Sequence, residues 1–385
     1  MTVSDQERLA RVGLARVTEP GSLDVWAALQ AASAEQVWAS VRAGEPLGQL
    51  GQRALDGLAA RLAVCDPQRD LEQLDRQGAR VLCPGDDEWP GGLVWEPSAM
   101  SGEVRGMAPP FVLFAEGPHH VREAMADSVA VVGARAATAY GTHVAKELGF
   151  ALAEAGSTVV SGGAYGIDAA AHRGALASSG APTVAVLACG LDLVYPRGND
   201  RLLGEIRRQG LLLSELPPGC GVTRVRFLVR NRVVAAMTQG TVVVEAAERS
   251  GSLSTSGRAA DLGRHVMAVP GPVTSAMSTG THQLLRQGCA LVAGVDDVLE
   301  VVRPMGEHLT ARARGPVHPR DRLEEQTRRI LDALPVRRPV SVARIAAAAG
   351  VSPLMVQVAL PELLGAGLVE QRDGGWRLTT LGASG

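Results

Sequence analysis

The chain has 385 residues, of which 46% are hydrophobic, and its formal net charge at pH 7 is -2. This length suits two or three domains, and the near-zero charge means that only local clusters of charge can indicate a nucleic-acid partner. The five cysteines are scattered and never spaced as CxxC, which argues against structural zinc and against a disulfide framework. No apolar run reaches the ~20 residues of a membrane span, and no signal peptide is evident. We therefore expect a cytoplasmic protein without a metal or cofactor.

Residues 1–77 are rich in alanine and leucine at helical spacing, with breaks at 19–22 and near 44–48. Short helices with glycine-bearing turns predict a helical domain that resembles a helix-hairpin-helix or sterile-alpha-motif bundle. Its acidic residues slightly outnumber its basic ones, which favours a packing role over contact with DNA, although both remain open. A loop-rich passage follows, with strands predicted at 80–82 and 111–114.

Residues 128–302 alternate between short apolar strands and helical segments. The strands at 129–132 and 158–160 lack polar alternation and each runs into glycine, as buried strands of a parallel sheet do. Further strands are predicted at 183–187, 211–213, 241–244, 265–269 and 290–293, giving a doubly wound α/β sheet of at least six or seven strands. Because right-handed crossovers place the carboxyl ends of parallel strands at one edge, the two glycine turns should build one pocket.

The last part of the chain is predicted to be a separate module. Residues 303–324 are polar and proline-bearing and are expected to form a linker. Three short helices and a hairpin then predict a winged helix over 325–381. Its third helix contains no cation and one acid, Glu362, which favours contact with another protein over contact with DNA. Pro361 should kink or end this helix.

The turn after the first parallel strand reads GARAATAYG and combines Gly133 with Arg135 at the start of a helix. Free backbone amides and the helix dipole attract anions at such a position. A tight turn with a solvated arginine is an equally good interpretation. The dinucleotide-binding and P-loop glycine patterns are both absent.

The turn after the second parallel strand contains Ser161, Gly162 and Gly166. Asp168 and His172 follow one helical turn apart and share a helix face. No third candidate ligand is close in sequence, and an aspartate in the first turn of a helix is more often a cap than a catalytic group. We therefore assign no catalytic or metal-binding role to this pair.

The most pointed local signal is the segment TRVRFLVRNR. Arg224, Arg226, Arg230 and Arg232 surround Phe227, with no acid among them. Cations interleaved with an aromatic ring suit single-stranded nucleic acid, which offers phosphates to the charges and bases to the ring. A surface arginine cluster over a core phenylalanine is an equal alternative from this segment alone.

A third loop, VVVEAAERSGSLST, follows a later strand. Glu245 closes the strand, and Ser250, Gly251 and Ser252 open the next helix, where hydroxyls and amides could hold a phosphate. Several such loops along one sheet edge suit a chain of phosphates better than one small ligand. No nucleophile and base are placed together anywhere in the sequence.

At this point the motifs VVGARAATAYG, SGGAYGIDAAAHRGAL, FLVRNRVVA and VVVEAAERSGSLST, in this order, closely resemble the DNA-processing protein A (DprA/Smf) family of bacteria, over roughly residues 78–302. The resemblance implies an extended Rossmann-like domain that dimerises and binds single-stranded DNA without catalysis. It also implies that the protein loads a RecA-type recombinase onto DNA coated with single-strand-binding protein during natural transformation. The helical domain and the winged helix agree with the family's three-part architecture.

The resemblance also implies roles for individual residues. Arg135 and Arg224 would each take a phosphate, Phe227 would stack on a base, and Asn231 with Arg232 would complete an RNR element that lines the pocket. The loops at 161–166 and 250–252 would supply amide and hydroxyl contacts. The family usually has an arginine where this chain has Tyr165, which removes one cation and offers a ring instead.

A second hypothesis treats the same sheet as that of a Rossmann-like enzyme similar to nucleoside-monophosphate phosphoribohydrolases, with Glu245 beside a phosphate pocket. Those enzymes carry a PGGxGT-type loop, which this chain lacks. Release of a free base from nucleotides would support the enzyme, whereas tight binding of oligonucleotides without such release would support the binding module.

Overall fold

The computed structural model of the protein describes residues 3–93, 95, 107–304, 306 and 319–383. Contacts divide the chain into two compact units, Met1–Thr310 and Ala311–Gly385. The boundary predicted near residue 77 falls inside the first unit and remains a prediction. Most of the linker predicted at 303–324 lies outside the described residues.

Five helices open the first unit. Serine side chains cap three of them, because Ser4, Ser22 and Ser33 each accept a hydrogen bond from a backbone N–H in the first turn. Helix α1 packs on two sides: Leu14 is buried among the other helices, and Val12 is buried against the sheet that follows. The helices are α1 (Asp5–Val17), α2 (Leu23–Ala31), α3 (Ala34–Ala43), α4 (Gln52–Leu62) and α5 (Pro67–Arg76).

Within the described residues, nine strands form one sheet in the order β1-β2-β6-β5-β4-β3-β7-β8-β9. The seven strands from β6 to β9 in this order are parallel, and β1 and β2 are antiparallel additions at one side. The strands are β1 (Arg80–Leu82), β2 (Leu113–Glu116), β3 (Ser128–Val132), β4 (Thr158–Ser161), β5 (Thr183–Val186), β6 (Leu211–Ser214), β7 (Gly240–Val243), β8 (His265–Ala268) and β9 (Ala290–Leu291).

Helices cover both faces of this sheet. They are α6 (Val121–Ala126), α7 (Ala139–Glu154), α8 (Ile167–Leu176), α9 (Asp200–Gln209), α10 (Arg224–Met237), α11 (Ser252–Asp261), α12 (Thr279–Arg286) and α13 (Val295–Val302). Along β3, Val129 and Val131 are buried in one core, and Ala130 and Val132 in the core on the opposite face. The prediction of a doubly wound sheet buried on both faces is confirmed, and each predicted strand from 129 to 293 lies within two residues of an observed one.

The strand order creates a switch point. The chain builds β3, β4, β5 and β6 outward in one direction and then returns to place β7 on the other side of β3. The connections after β3 and β7 therefore leave on opposite sides, and a crevice opens between the carboxyl ends of these two strands. This crevice is where an open α/β sheet binds its ligand.

Over residues 319–383, the second unit contains three α-helices and a two-stranded hairpin in the order that the sequence predicts, followed by a short helix that the sequence did not predict. They are α14 (Glu325–Asp332), α15 (Val342–Ala349), α16 (Pro353–Gly365), β10 (Val369–Arg372), β11 (Gly375–Leu378) and α17 (Thr380–Ala383). Of the two outcomes predicted for Pro361, a kink or an end of the third helix, the end does not occur, since α16 runs on to Gly365. Leu360 and Leu363, on either side of the proline in sequence, are buried in the core of the second unit. Beyond the proline, the Ala366 N–H still donates to the Glu362 carbonyl.

Within the described residues, no helix taken singly combines the length and apolar character that crossing a membrane requires. Among the described residues, only α15 and α16 taken as a pair reach the required length and apolar character, and this pair is bent by 104°.

A buried histidine makes the stability of the first unit sensitive to pH. His172 on α8 is completely buried, and its Nδ1 lies 2.7 Å from the Thr183 hydroxyl, which itself donates to the Val159 carbonyl. The hydroxyl therefore accepts, and the imidazole is neutral with its proton on Nδ1. Burial lowers the pKa of His172 to about 3.

We expect the free energy of unfolding to fall as the pH drops from 6.5 towards 4. The unfolded chain binds a proton at His172 near pH 6.5, and the folded chain does not do so until the pH is close to 3. This group alone contributes about 1.4 kcal/mol per pH unit in that window. Urea unfolding at several pH values should show a shallower decline for His172→Asn than for wild type, and equal declines would contradict the assignment.

Candidate nucleic-acid interface

A cavity of about 820 Å³ opens at the switch point between β3 and β7. The loops after β3, β4, β5 and β7 form its walls together with the first turns of α10. Nine of the residues expected from the sequence line it, namely Gly133, Arg135, Gly162, Arg224, Phe227, Asn231, Ser250, Gly251 and Ser252. The predicted convergence of separate loops on one pocket is therefore what the sheet topology produces.

Helix α10 presents one face to this cavity. The Thr223 side chain accepts a hydrogen bond from the Arg226 N–H and so fixes the start of the helix. Arg224, Phe227 and Asn231 follow at intervals of three and four residues, which places them on one side of a helix. All three line the cavity.

An aromatic and cationic cluster forms the centre of the cavity wall. The Arg135 guanidinium lies over the Phe227 ring, 4.7 Å from its centroid. The Tyr195 ring is 5.5 Å from Phe227 and is tilted by 51° to it. Phe227 is half-buried, so part of its ring packs against the protein and part remains accessible. Arg135 thus reaches the cavity on a fixed support.

The exposed charges of the cavity are positive. Arg135, Arg224 and Arg249 are exposed and line it, and none of the three has an ion-pair partner within the part of the chain that the structure describes. Arg249 was not among the residues that the sequence predicted for the site, although it lies directly before the serine loop. Asp168 is the one acid in the described lining, and it is buried. A polyanion therefore meets no exposed carboxylate on this wall.

The amino end of α7 is not an anion site, which corrects one expectation. The Glu245 carboxylate accepts hydrogen bonds from the Thr138 N–H at 2.9 Å and from the Thr138 hydroxyl at 2.6 Å. The chain's own carboxylate thus occupies the position that a phosphate would take at Thr138, the residue before the first turn of α7. The first loop is left with Arg135 as its contribution to anion binding.

The loop after β4 is also satisfied internally, which corrects the roles expected for its residues. The Asp168 carboxylate accepts hydrogen bonds from the N–H groups of Gly162 and Ala164. The Ser161 hydroxyl donates to the Val131 carbonyl inside the sheet. Gly166 has a φ of 76°, and a Cβ there would lie 2.2 Å from the Ala134 carbonyl oxygen. The loop is therefore a rigid wall, and neither Ser161 nor Gly166 lines the cavity.

Burial raises the pKa of Asp168, and the nearby Arg230 guanidinium opposes that rise. Arg230 is itself buried and donates to the carbonyls of Gly162 and Val186. Burial lowers the pKa of Arg230 to about 10. This arginine lines the cavity floor and holds two loops in place, a role that the sequence did not reveal.

Two other arginines of α10 point away from the cavity. Arg232 was expected to line the pocket, but it is fully buried and donates two hydrogen bonds of 2.8 Å to Glu215. Arg226 donates to Glu19 at 2.8 and 3.0 Å, which raises the pKa of Arg226 above its ordinary value. Both side chains bind the protein's own carboxylates, so neither is available to a ligand.

At the amino end of α11, unlike that of α7, no carboxylate of the described residues accepts a hydrogen bond. Gly251 precedes the first turn, and the helix has no side-chain cap. The hydroxyl oxygens of Ser250 and Ser252 are 2.8 Å apart and line the cavity. Asn231 reaches towards this loop, with its Nδ2 3.5 Å from the Gly251 carbonyl. This side of the cavity keeps the serine hydroxyls that the sequence predicted, whereas the N–H groups of Ser252, Leu253 and Ser254 are hydrogen-bonded within the loop itself.

Comparison with known proteins gives consistent matches. The family model of DNA recombination-mediator protein A matches residues 80–303. A DNA processing protein DprA of Mycobacterium tuberculosis is 45% identical over 374 residues, which cover 96% of this chain and 94% of that protein. The Escherichia coli protein Smf is 41% identical over 192 residues, half of each chain. The X-ray structure of DNA processing protein A from Streptococcus pneumoniae covers 81% of this chain and all of its own, with 29% identity and a TM-score of 0.60.

Replacing Phe227 by alanine removes both a ring from the cavity and the support beneath Arg135. We expect this change to weaken binding of single-stranded oligonucleotides by ~1 to 3 kcal/mol, the usual loss for one stacked base. Fluorescence anisotropy titrations would measure it. Phe227→Leu should recover only part of the loss, and an alanine variant with wild-type affinity would show that the ring only packs against the protein.

Proposed function

Because the chain belongs to the DNA recombination-mediator protein A family, we propose that the cavity at the carboxyl edge of its sheet binds single-stranded DNA. Recombination mediation is a DNA-binding role and not a catalysed reaction. The observation that carries the proposal is Arg135 stacked on Phe227, beside exposed Arg224 and in a lining without an exposed carboxylate.

The chemistry of the cavity suits an unpaired strand. Arginine side chains and the amino end of α11 can hold successive phosphates, and these contacts carry no sequence information. Aromatic rings need access to the flat face of a base, which a paired duplex keeps inside its stack. The combination of Arg224, Ser250 and Phe227 in one wall therefore favours single strands of any sequence.

The alternative enzyme hypothesis is not favoured. Glu245, its candidate catalytic acid, is buried and has both carboxylate oxygens engaged by Thr138. A group held in this way caps a helix and cannot approach a ribose carbon at the same time. Family membership points the same way.

Within this proposal, the bound strand is passed to a RecA-type recombinase, and it is taken from DNA coated with single-strand-binding protein. The active form is a homodimer that works in the cytoplasm, where the recombinase acts. The resemblance to the family supports these partners. The second unit contacts a protein partner, because its third helix, α16, carries no cation that could meet phosphates.

Removing one phosphate-binding arginine should change how binding depends on salt. For Arg135→Ala and Arg224→Ala we expect weaker binding, and a plot of log affinity against log salt that is shallower by about one unit for each lost contact. Anisotropy titrations with a labelled oligonucleotide over a range of salt concentrations measure both quantities.

Arg208→Ala provides a matched control, since Arg208 is exposed at the far end of α9 and outside the cavity lining. It makes the same change in net charge and should leave the salt dependence close to that of wild type. If all three variants have the wild-type slope, the cavity is not where the phosphates bind.

A chain that ends at Pro304 should bind single-stranded DNA nearly as well as the full chain, because every cavity residue precedes that point. Gel-shift or anisotropy titrations of the two chains would test this. If the shorter chain lost binding while its unfolding transition stayed unchanged, the result would show that the second unit makes the DNA contacts.

A further inference from the structure

Tyr195 is an aromatic residue of the cavity for which the sequence predicts no role. It is 40% exposed and lines the cavity, whereas its neighbour Phe227 is half-buried. Its hydroxyl has no hydrogen-bond partner among the described residues. Part of the Tyr195 side chain is therefore open to solvent at the cavity.

The other two tyrosines of the chain differ in this respect. Tyr140 donates its hydroxyl proton to the Pro270 carbonyl at 2.7 Å, and the Tyr165 hydroxyl accepts from the Gly198 N–H at 3.1 Å. Neither residue lines the cavity. Each of these two hydroxyls has a partner within the fold, and the one tyrosine without such a partner is the one that faces the ligand space.

The loop that carries Tyr195 is held firmly. The Ser214 hydroxyl donates to the Cys189 carbonyl at 2.7 Å, and the Asp192 carboxylate accepts from the Gly219 N–H at 2.9 Å. Just beyond the tyrosine, Asn199 donates to the carbonyl of Gly163 at 3.0 Å. A ring on an anchored loop loses little conformational freedom when it stacks on a ligand.

Phe227 alone cannot stack on two bases, because the Arg135 guanidinium already covers one of its faces at 4.7 Å. Tyr195 offers a second ring 5.5 Å away, at an angle of 51° to the first. Bases stacked on the two rings would be inclined to each other. Successive bases of a duplex are nearly parallel, so the ring pair fits only a strand whose bases are unpaired and splayed.

We propose that Tyr195 stacks on the base next to the one held at Phe227 and so determines the preference for single-stranded over double-stranded DNA. This inference rests on the proposed function and deepens it: the ligand is a step of two consecutive unstacked nucleotides. Tyr195 contributes its ring and not its hydroxyl.

The test uses the full chain, a labelled oligothymidylate and the matching duplex. Tyr195→Ala should weaken single-strand binding by about 5- to 150-fold, the equivalent of one lost base stack, and should leave duplex binding unchanged. Tyr195→Phe should bind within about twofold of wild type, since the ring remains. The thermal unfolding temperature of both variants should match that of wild type, because the side chain is exposed.

Oligonucleotides with one abasic position, scanned along the strand, identify the contact directly. Wild type should show two adjacent sensitive positions, and Tyr195→Ala should show one. If Tyr195→Ala binds as tightly as wild type while Arg135→Ala binds weakly, this inference fails and the proposed function stands. If Tyr195→Phe is as weak as Tyr195→Ala, a hydroxyl contact replaces the stack. If wild type does not bind the strand at all, the proposed function itself fails.

Discussion

The hydrogen bonds of Glu245 hold together the two strand ends between which the cavity opens. Its carboxylate accepts the N–H and the hydroxyl of Thr138, and its backbone carbonyl accepts the Ala134 N–H at 2.8 Å. Helix α7 passes very close to the Glu245 carboxylate, because a Cβ at Gly141 would lie 2.2 Å from one of its oxygens. These contacts fix the turn that carries Arg135, and the position of the guanidinium over Phe227 depends on that turn.

This bonding also decides where an anion can bind. Carboxylates of the chain already occupy two positions around the cavity: Glu245 accepts from the Thr138 N–H at the amino end of α7, and Asp168 accepts from the Gly162 N–H in the loop before α8. The starts of α10 and α11 are closed by no carboxylate. Their dipoles favour negative charge, so the phosphates of a strand should follow the side of Arg224 and Ser250. The bases then turn towards the rings.

The fold was predictable from the sequence to a greater extent than the site. Runs such as 129–132 are apolar throughout, and only a sheet covered on both faces buries them, so the strands and their common edge follow from the local pattern. The local pattern does not show which arginines of α10 are exposed and which are bound within the protein, because their partners are distant in sequence. Glu19 lies 207 residues from Arg226, and Gly162 lies 68 residues from Arg230. Spacing brought Arg224 and Phe227 to one face, whereas the burial of Arg232 with Glu215 depends on tertiary packing.

The central claim is that the bases of a single strand lie against the aromatic wall of the cavity. Photocrosslinking with an oligonucleotide that carries iododeoxyuridine at one position, followed by mass spectrometry of the digested protein, tests it most directly. The predicted result is crosslinked peptides that contain Tyr195 or Phe227, lost in the presence of unlabelled single strands and kept in the presence of duplex. Crosslinks confined to residues 319–383, or to helices α1 to α5, would contradict the account.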